Sequence, residues 1–304
     1  AWALQHLAWV QTSVGDFEAA DDALGRALRL FALQKDRLGR AWVRSSAAFT
    51  RLLAGRLREA QRLAEAFRPF GEKVGDAWAV GLLRGISAFA AADLGELAEA
   101  DTLARKAFRE FDRIADDWGR GFTLVVRGAI ARDLGELEHA MELVDEAELY
   151  ATKAAHPLLT GMARVLRGYC LLGLGDFAAA EAAARDTLTL SRPHDVLEPV
   201  KAAPLALLAE ARAAQGDTDA ALRYFAEIAA NDSQPALLYS RRRAVARYAQ
   251  LLWQDGQVWE ARRWALRAQN APGEDANSEK LVSQVIAETG AVQGSAGMSV
   301  AVPS

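Results

Sequence analysis

One seven-residue word returns along this chain at almost constant spacing. It reads VGDFEAA at Val14, AGRLREA at Ala54, LGELAEA at Leu94, LGELEHA at Leu134, LGDFAAA at Leu174, QGDTDAA at Gln215 and DGQVWEA at Asp255. The glycines Gly15, Gly55, Gly95, Gly135, Gly175, Gly216 and Gly256 are 40 residues apart, with a single step of 41. A fixed register at such a period is the mark of a repeat architecture, in which each unit is a small helical or β element that buries its apolar face only against its neighbours. That constraint comes before any other reading of the chain.

Apolar residues around each glycine follow helical spacing, without strand-like alternation, so each unit reads as helix, tight turn, helix. In the first unit, helix A spans about Ala1 to Val14 and helix B about Asp16 to Gln34. Seven residues before the turn glycine stands a small residue each time: Ala8, Ala48, Ala88, Gly128, Gly168, Ala209 or Ala249. Five after it comes Ala20, Ala60, Ala100, Ala140, Ala180, Ala221 or Ala261. The glycine makes the turn, and the paired small residues let the two helices lie close together. Two positions after the glycine, Phe17, Leu57, Leu97, Leu137, Phe177 and Val258 supply an apolar plug, with Thr218 the exception.

Junctions between units are regular at first. Asp36, Asp76 and Asp116 are placed to cap the next helix A, and Leu38, Trp78 and Trp118 follow at the same spacing. His156-Pro157, Pro199, Pro204 and Gln234-Pro235 then replace the pattern, which predicts a less uniform array from the fifth unit onward.

The small residue, the Gly-Asp-[Phe/Leu] turn and the alanine after it resemble the tetratricopeptide repeat over about Ala1 to Gln269. The longer unit, with ALRLFALQKDRLGRAW at Ala27 to Trp42 and Asp-Asp-Trp-Gly-Arg-Gly at Asp116 to Gly121, is similar to the expanded repeats of bacterial LuxR-type regulators among the signal-transduction ATPases with numerous domains. The resemblance implies an all-α, right-handed superhelical solenoid of seven units (about 1–40, 41–80, 81–120, 121–160, 161–200, 201–241 and 242–270) whose A helices line the inner wall. Residues 271–304 break the period and read as a short helix over Ser278 to Glu288 and a disordered tail.

Composition sets the chain among ordinary soluble proteins: 304 residues, 51% hydrophobic, 25% charged, net charge −4. Apolar runs are interrupted by Arg, Asp or Glu well short of the roughly 18 residues that suggest a membrane span. The lone Cys170 rules out an internal disulfide framework, reads as a packed thiol and fits the cytoplasm. The opening at Ala1, already inside a helical pattern, reads as a piece of a longer protein.

Motifs for chemistry are missing. There is no G-x-x-x-x-G-K-[ST], no H-E-x-x-H and no C-x-x-C, and His6, His139, His156 and His194 are scattered among units, so neither a cofactor nor a metal site is expected. Arg241-Arg242-Arg243 is the one dense basic cluster, too little on an acidic chain to argue for direct nucleic-acid binding. The expectation is a chain without catalytic activity of its own.

Two stripes on helix A are candidates for recognition. Thirteen and six residues before the glycine lie Trp2 and Trp9, Trp42 and Phe49, Leu82 and Phe89, Phe122 and Ala129, Met162 and Tyr169, with Gln5, Ser45, Gly85, Val125 and Val165 between. Seven-residue spacing puts each pair on one helix face. Such a wall suits a peptide or organic ligand, or else it is inter-repeat core. The second stripe is basic: Arg44, Arg84 and Arg164 eleven before the glycine, Arg127 and Arg167 eight before it. Forked guanidinium donors suit an anionic small ligand or acidic peptide, or they pair internally with helix B carboxylates. Both stripes cannot look into the groove equally. The carboxylate clamp of chaperone-binding repeats needs Lys and Asn where this chain has Gln5, Trp9, Ser45 and Phe49, which argues against a chaperone-tail adaptor.

The sequence reading is a sensor domain of a larger bacterial signalling or transcription-regulatory protein, taking a protein, peptide or anionic ligand and biasing an ATPase or output domain of the same parent chain. The alternative is an oligomerisation scaffold without a ligand, with Trp253, Trp259 and Trp264 of the last unit as its contact surface.

Overall fold

The computed structural model describes residues 1–190, 201–230, 241–270 and 276–297. All regular structure among them is helical. Hairpins form from α1 (Trp2–Val14) and α2 (Phe17–Leu33), α3 (Arg37–Leu53) and α4 (Leu57–Val74), α5 (Ala77–Asp93) and α6 (Leu97–Arg113), and α7 (Asp117–Asp133) and α8 (Leu137–Lys153). They continue with α9 (Pro157–Gly173) and α10 (Phe177–Leu190), α11 (Ala202–Ala214) and α12 (Thr218–Ala230), and α13 (Arg241–Gln254) and α14 (Val258–Asn270). A last helix, α15 (Ala276–Gly297), packs on α13 and α14 and runs beyond Glu288, where the sequence pattern suggested it would end. The junctions at Pro199 and Gln234-Pro235, His194 and residues 298–304 lie outside the described residues.

Every repeat glycine adopts the left-handed conformation, with φ between +73° and +87°. At Gly15 the N–H groups of Gly15 and Asp16 turn back to the carbonyls of Thr12 and Gln11, closing the end of α1. A side chain at that φ costs about 1 kcal/mol, which is why the position repeats as glycine. The +5 alanines are fully buried in all seven units. Gly128 and Gly168 replace alanine at the −7 position because Leu166 and Leu207 of the next unit occupy the space; a Cβ there would come within 2.9 and 2.1 Å of their Cδ2 atoms.

The reverse turns follow the expected caps. The carboxylates of Asp36, Asp76 and Asp116 accept from the N–H groups of Gly39, Ala79 and Gly119 at 2.9, 3.1 and 2.6 Å. At the fifth unit His156 Nδ1 takes over, accepting from Leu159 N–H at 3.4 Å, with Pro157 starting the helix.

Side-chain size alternates across these junctions. Phe31 lies against Gly39 and Phe111 against Gly119, where a Cβ would fall 2.2 and 2.0 Å from ring carbons. The equivalent pairs one unit later are Gly71 with Ala79, where Val80 fills the space, and Ala151 with Leu159, where the bulk stands on the other side of the junction.

Successive A helices pack side by side from α1 to α11, whereas no two successive B helices make comparable contact among the described residues. Elements that touch their counterparts lie on the shorter radius. The A helices therefore form the inner wall of the solenoid and the B helices its outer surface.

Candidate binding groove

The inner wall divides into a filled stretch and an open one. In the filled stretch Trp42 stacks on Trp78 with centroids 3.9 Å apart and planes 8° from parallel, and Trp2 meets Trp42 edge-on at 5.7 Å. Trp9 on α1 touches Phe49 on α3 at 4.9 Å, Trp78 on α5 at 6.2 Å and Trp118 on α7 at 5.8 Å. Rings from the first and fourth A helices can meet only across the bore. Trp118 also stacks on Phe122 at 5.3 Å and reaches Phe49 and His156. The candidates Trp2, Trp9, Trp42, Phe49 and Phe122 are thus brought together, but largely against one another. Their two further partners, Trp78 and Trp118, stand at the 40-residue spacing as junction residues; one helical turn before the stripe, they belong to the same face.

Further along, the same face opens. Phe89 on α5, Val125 and Ala129 on α7, and Met162, Val165 and Tyr169 on α9 border a groove pocket of about 120 Å³. Phe89, Ala129 and Tyr169 are the −6 residues of three successive units, and Val125 and Val165 are the residues between the stripe pairs. Asp93, Arg132 and Arg243 charge its edge. The Arg132 guanidinium lies 5.6 Å from the Tyr169 ring centroid and is held by Asp133 at 2.7 Å. Arg132 and Arg243 were absent from the sequence candidates; Arg132 sits three residues before the glycine, at the edge of the stripe.

The arginine stripe does not look into this groove. Arg44 lies over Phe67 and Phe70 of α4, 5.5 and 4.4 Å from the ring centroids, and burial followed by the neighbouring Arg40 charge lowers its pKa. Arg84 is clamped between Glu72 of α4, at 3.2 Å, and Glu110 of α6. Arg167 donates to Glu148 at 2.9 Å and to Asp145 at 2.6 Å, both on α8; its hydrogen bond to Glu148 is the main cause of its raised pKa. Arg127 turns toward α6 and α8, and Arg164 is half-buried on α9. The five are not brought together into one site. The two stripes divide the helix: aromatics to the inner wall, and Arg44, Arg84, Arg127 and Arg167 to the seams with B helices.

Cys170 is fully buried, and burial pushes its thiol pKa up, the opposite of what a nucleophile needs. Among the described residues there is no group of three or more His, Cys, Asp or Glu side chains arranged to hold a metal, and no helix is long and apolar enough to cross a membrane.

No protein-family model and no curated protein matches the chain. Among solved structures it is similar to a Rap protein complexed with competence and sporulation factor, at a TM-score of 0.63, 12% identity, 96% of this chain and 86% of that one. It is also similar to a tetratricopeptide repeat protein from Parabacteroides merdae, at 0.54, 13% identity, 93% and 98%. A third likeness, at a TM-score of 0.49, 17% identity, 88% and 41%, is to a signal-transduction ATPase with a tetratricopeptide repeat sensor from Pyrococcus horikoshii. The chain has the fold of a tetratricopeptide repeat solenoid. In such a solenoid the inner wall is one continuous surface, so the filled and open stretches described above are two fates of the same repeat positions.

Proposed function

We propose that this tetratricopeptide repeat solenoid is a non-catalytic recognition domain of a larger signalling protein, and that it grips an extended peptide or the tail of a protein partner in the open stretch of its inner wall. The observation that carries this reading is the pocket bordered by Phe89, Ala129 and Tyr169, where three successive units offer apolar floor from equivalent positions. A repeating floor suits a repeating ligand, such as a polypeptide. Arg132, paired with Asp133, and Arg243 stand at its edge beside Asp93, and their guanidinium donors suit an acidic segment or a free carboxyl terminus. The Rap protein of similar fold was solved with a bound factor, which supports the same reading.

Selection of random peptides on the immobilised chain tests it. Recovered sequences are expected to share acidic and apolar positions and to lose about tenfold or more in affinity for Ala129→Glu, which places a carboxylate in the groove. Peptides that bind Ala129→Glu as well as wild type sink the proposal.

A second reading, a contact surface between protomers, is favoured by the last repeat unit, where Trp259 is 75% exposed. Sedimentation showing a concentration-dependent dimer that Trp259→Glu dissolves would establish this contact.

A further inference from the structure

A second pocket lies at the seam between the A helix α7 and the B helices α6 and α8. It measures about 260 Å³ and is bordered by α6, α7 and α8, with Leu97, Ile130, Leu134 and Leu143 as apolar wall and Arg127, Arg105, His139, Asp101 and Glu136 as its polar groups. Arg127 Nε is buried without a hydrogen-bond partner, and the side chain forms no ion pair among the described residues.

The repeat supplies its own control. Arg167 is the equivalent of Arg127 one unit later, and there the preceding B helix presents Asp145 and Glu148, which bind the guanidinium. Forty residues earlier, those two positions hold Arg105 and Phe108. The carboxylates have been replaced by a second cation and a ring. Arg105 is held by Asp101 at 2.7 Å, whereas Arg127 feels the carboxylates of Asp101 and Glu146 only at a distance, without an ion pair. Burial, then the charge of Arg105, lowers the pKa of Arg127. The buried Nε left in this way lacks an acceptor that a bound anion can supply.

We propose that the pocket between α6, α7 and α8 is a binding site for a small organic anion, a carboxylate or phosphate ester with a short apolar body, whose head group takes the place that Asp145 and Glu148 fill at Arg167. The oxyanion accepts from Arg127, and the body lies against the Leu97, Ile130 and Leu143 wall. This site is separate from the groove on the inner wall and does not depend on it.

Calorimetric titration of the full chain with butyrate and with butyl phosphate, at matched ionic strength, tests the proposal. At least one probe is expected to bind one to one with a Kd of about 1 mM or tighter; the tighter of the two assigns the head group. Arg127→Gln should weaken binding by about tenfold or more. It should not lower the melting temperature, since no internal bond is lost. Arg105→Asp restores the internal carboxylate of the later unit on an exposed position, and should abolish binding while raising the melting temperature. Failure of both probes to bind, binding that survives Arg127→Gln, or an equal loss in Arg167→Gln overturns the proposal.

Discussion

The inner wall of the first four units and that of the third to fifth are built from the same repeat positions, yet in one the half-buried rings meet one another and in the other they border a pocket. In the first stretch, the −6 residues Trp9 and Phe49 meet each other and also meet Trp78 and Trp118 from across the bore. In the second, the −6 residues are Phe89, Ala129 and Tyr169, and the alanine leaves a gap between two rings. A position on a solenoid's inner face is therefore not a binding position by rank alone. It becomes core when side chains from units further along are long enough to meet it, and remains a groove where one is short.

The largest expected effect tests whether the filled stretch is core. Trp118 lies within 6.4 Å of the rings of Trp9, Phe49, Trp78, Phe111 and Phe122, and of His156. Trp118→Ala should cost about 3 kcal/mol, against about 1 kcal/mol for Tyr169→Ala in the open stretch, both read from urea melts. Similar losses at the two sites would erase the distinction.

A smaller effect sits on the boundary between the stretches. His156 caps α9 through Nδ1, which must be unprotonated to accept from Leu159 N–H, and its ring borders Trp118. Burial lowers its pKa below the ordinary 6.5. The unfolded chain therefore takes up a proton before the folded one as the pH falls. Stability is complete above 6.5 and declines as the pH drops from there toward the lowered folded value, by at most about 1.4 kcal/mol per pH unit. The pH dependence of the melting temperature between 7 and 5 should flatten in His156→Asn, which can still cap. An unchanged slope would assign the dependence to other groups.

The sequence revealed those features that depend on one unit at a time. Turn glycines, paired small residues and the caps Asp36, Asp76 and Asp116 are local requirements repeated at a fixed period, and all are where periodicity predicts. The direction of the two helix A stripes was not legible, because it depends on which B helix side chains lie across the seam: Phe67 and Phe70 for Arg44, Glu110 for Arg84, Asp145 and Glu148 for Arg167. Contact of Trp9 with Trp118, 109 positions apart in the sequence, depends on curvature accumulated over three units. No spacing rule within one unit contains that information. The buried, unpartnered Nε of Arg127 became visible only against Arg167, as a difference between equivalent positions in three dimensions.

The smallest effect is the sharpest test, since it converts one stretch into the other. In Ala129→Phe a ring enters between Phe89 and Tyr169 at the −6 position and repeats the neighbour relation of Trp9 and Phe49, whose centroids are 4.9 Å apart. The groove beside Ala129 has about 120 Å³ to receive it, and the position is half-buried rather than sealed. New ring contacts are worth about 0.5–1.5 kcal/mol, and immobilising the ring takes back part of that. The melt should therefore stay level or rise by about 1 kcal/mol, while peptides selected on the wild-type groove lose their site. If stability instead falls by about 2 kcal/mol, as overpacking does in a closed interior, the second stretch is core as well. Aromatic identity would then not distinguish the two parts of the wall, and recognition would have to lie on the outer face.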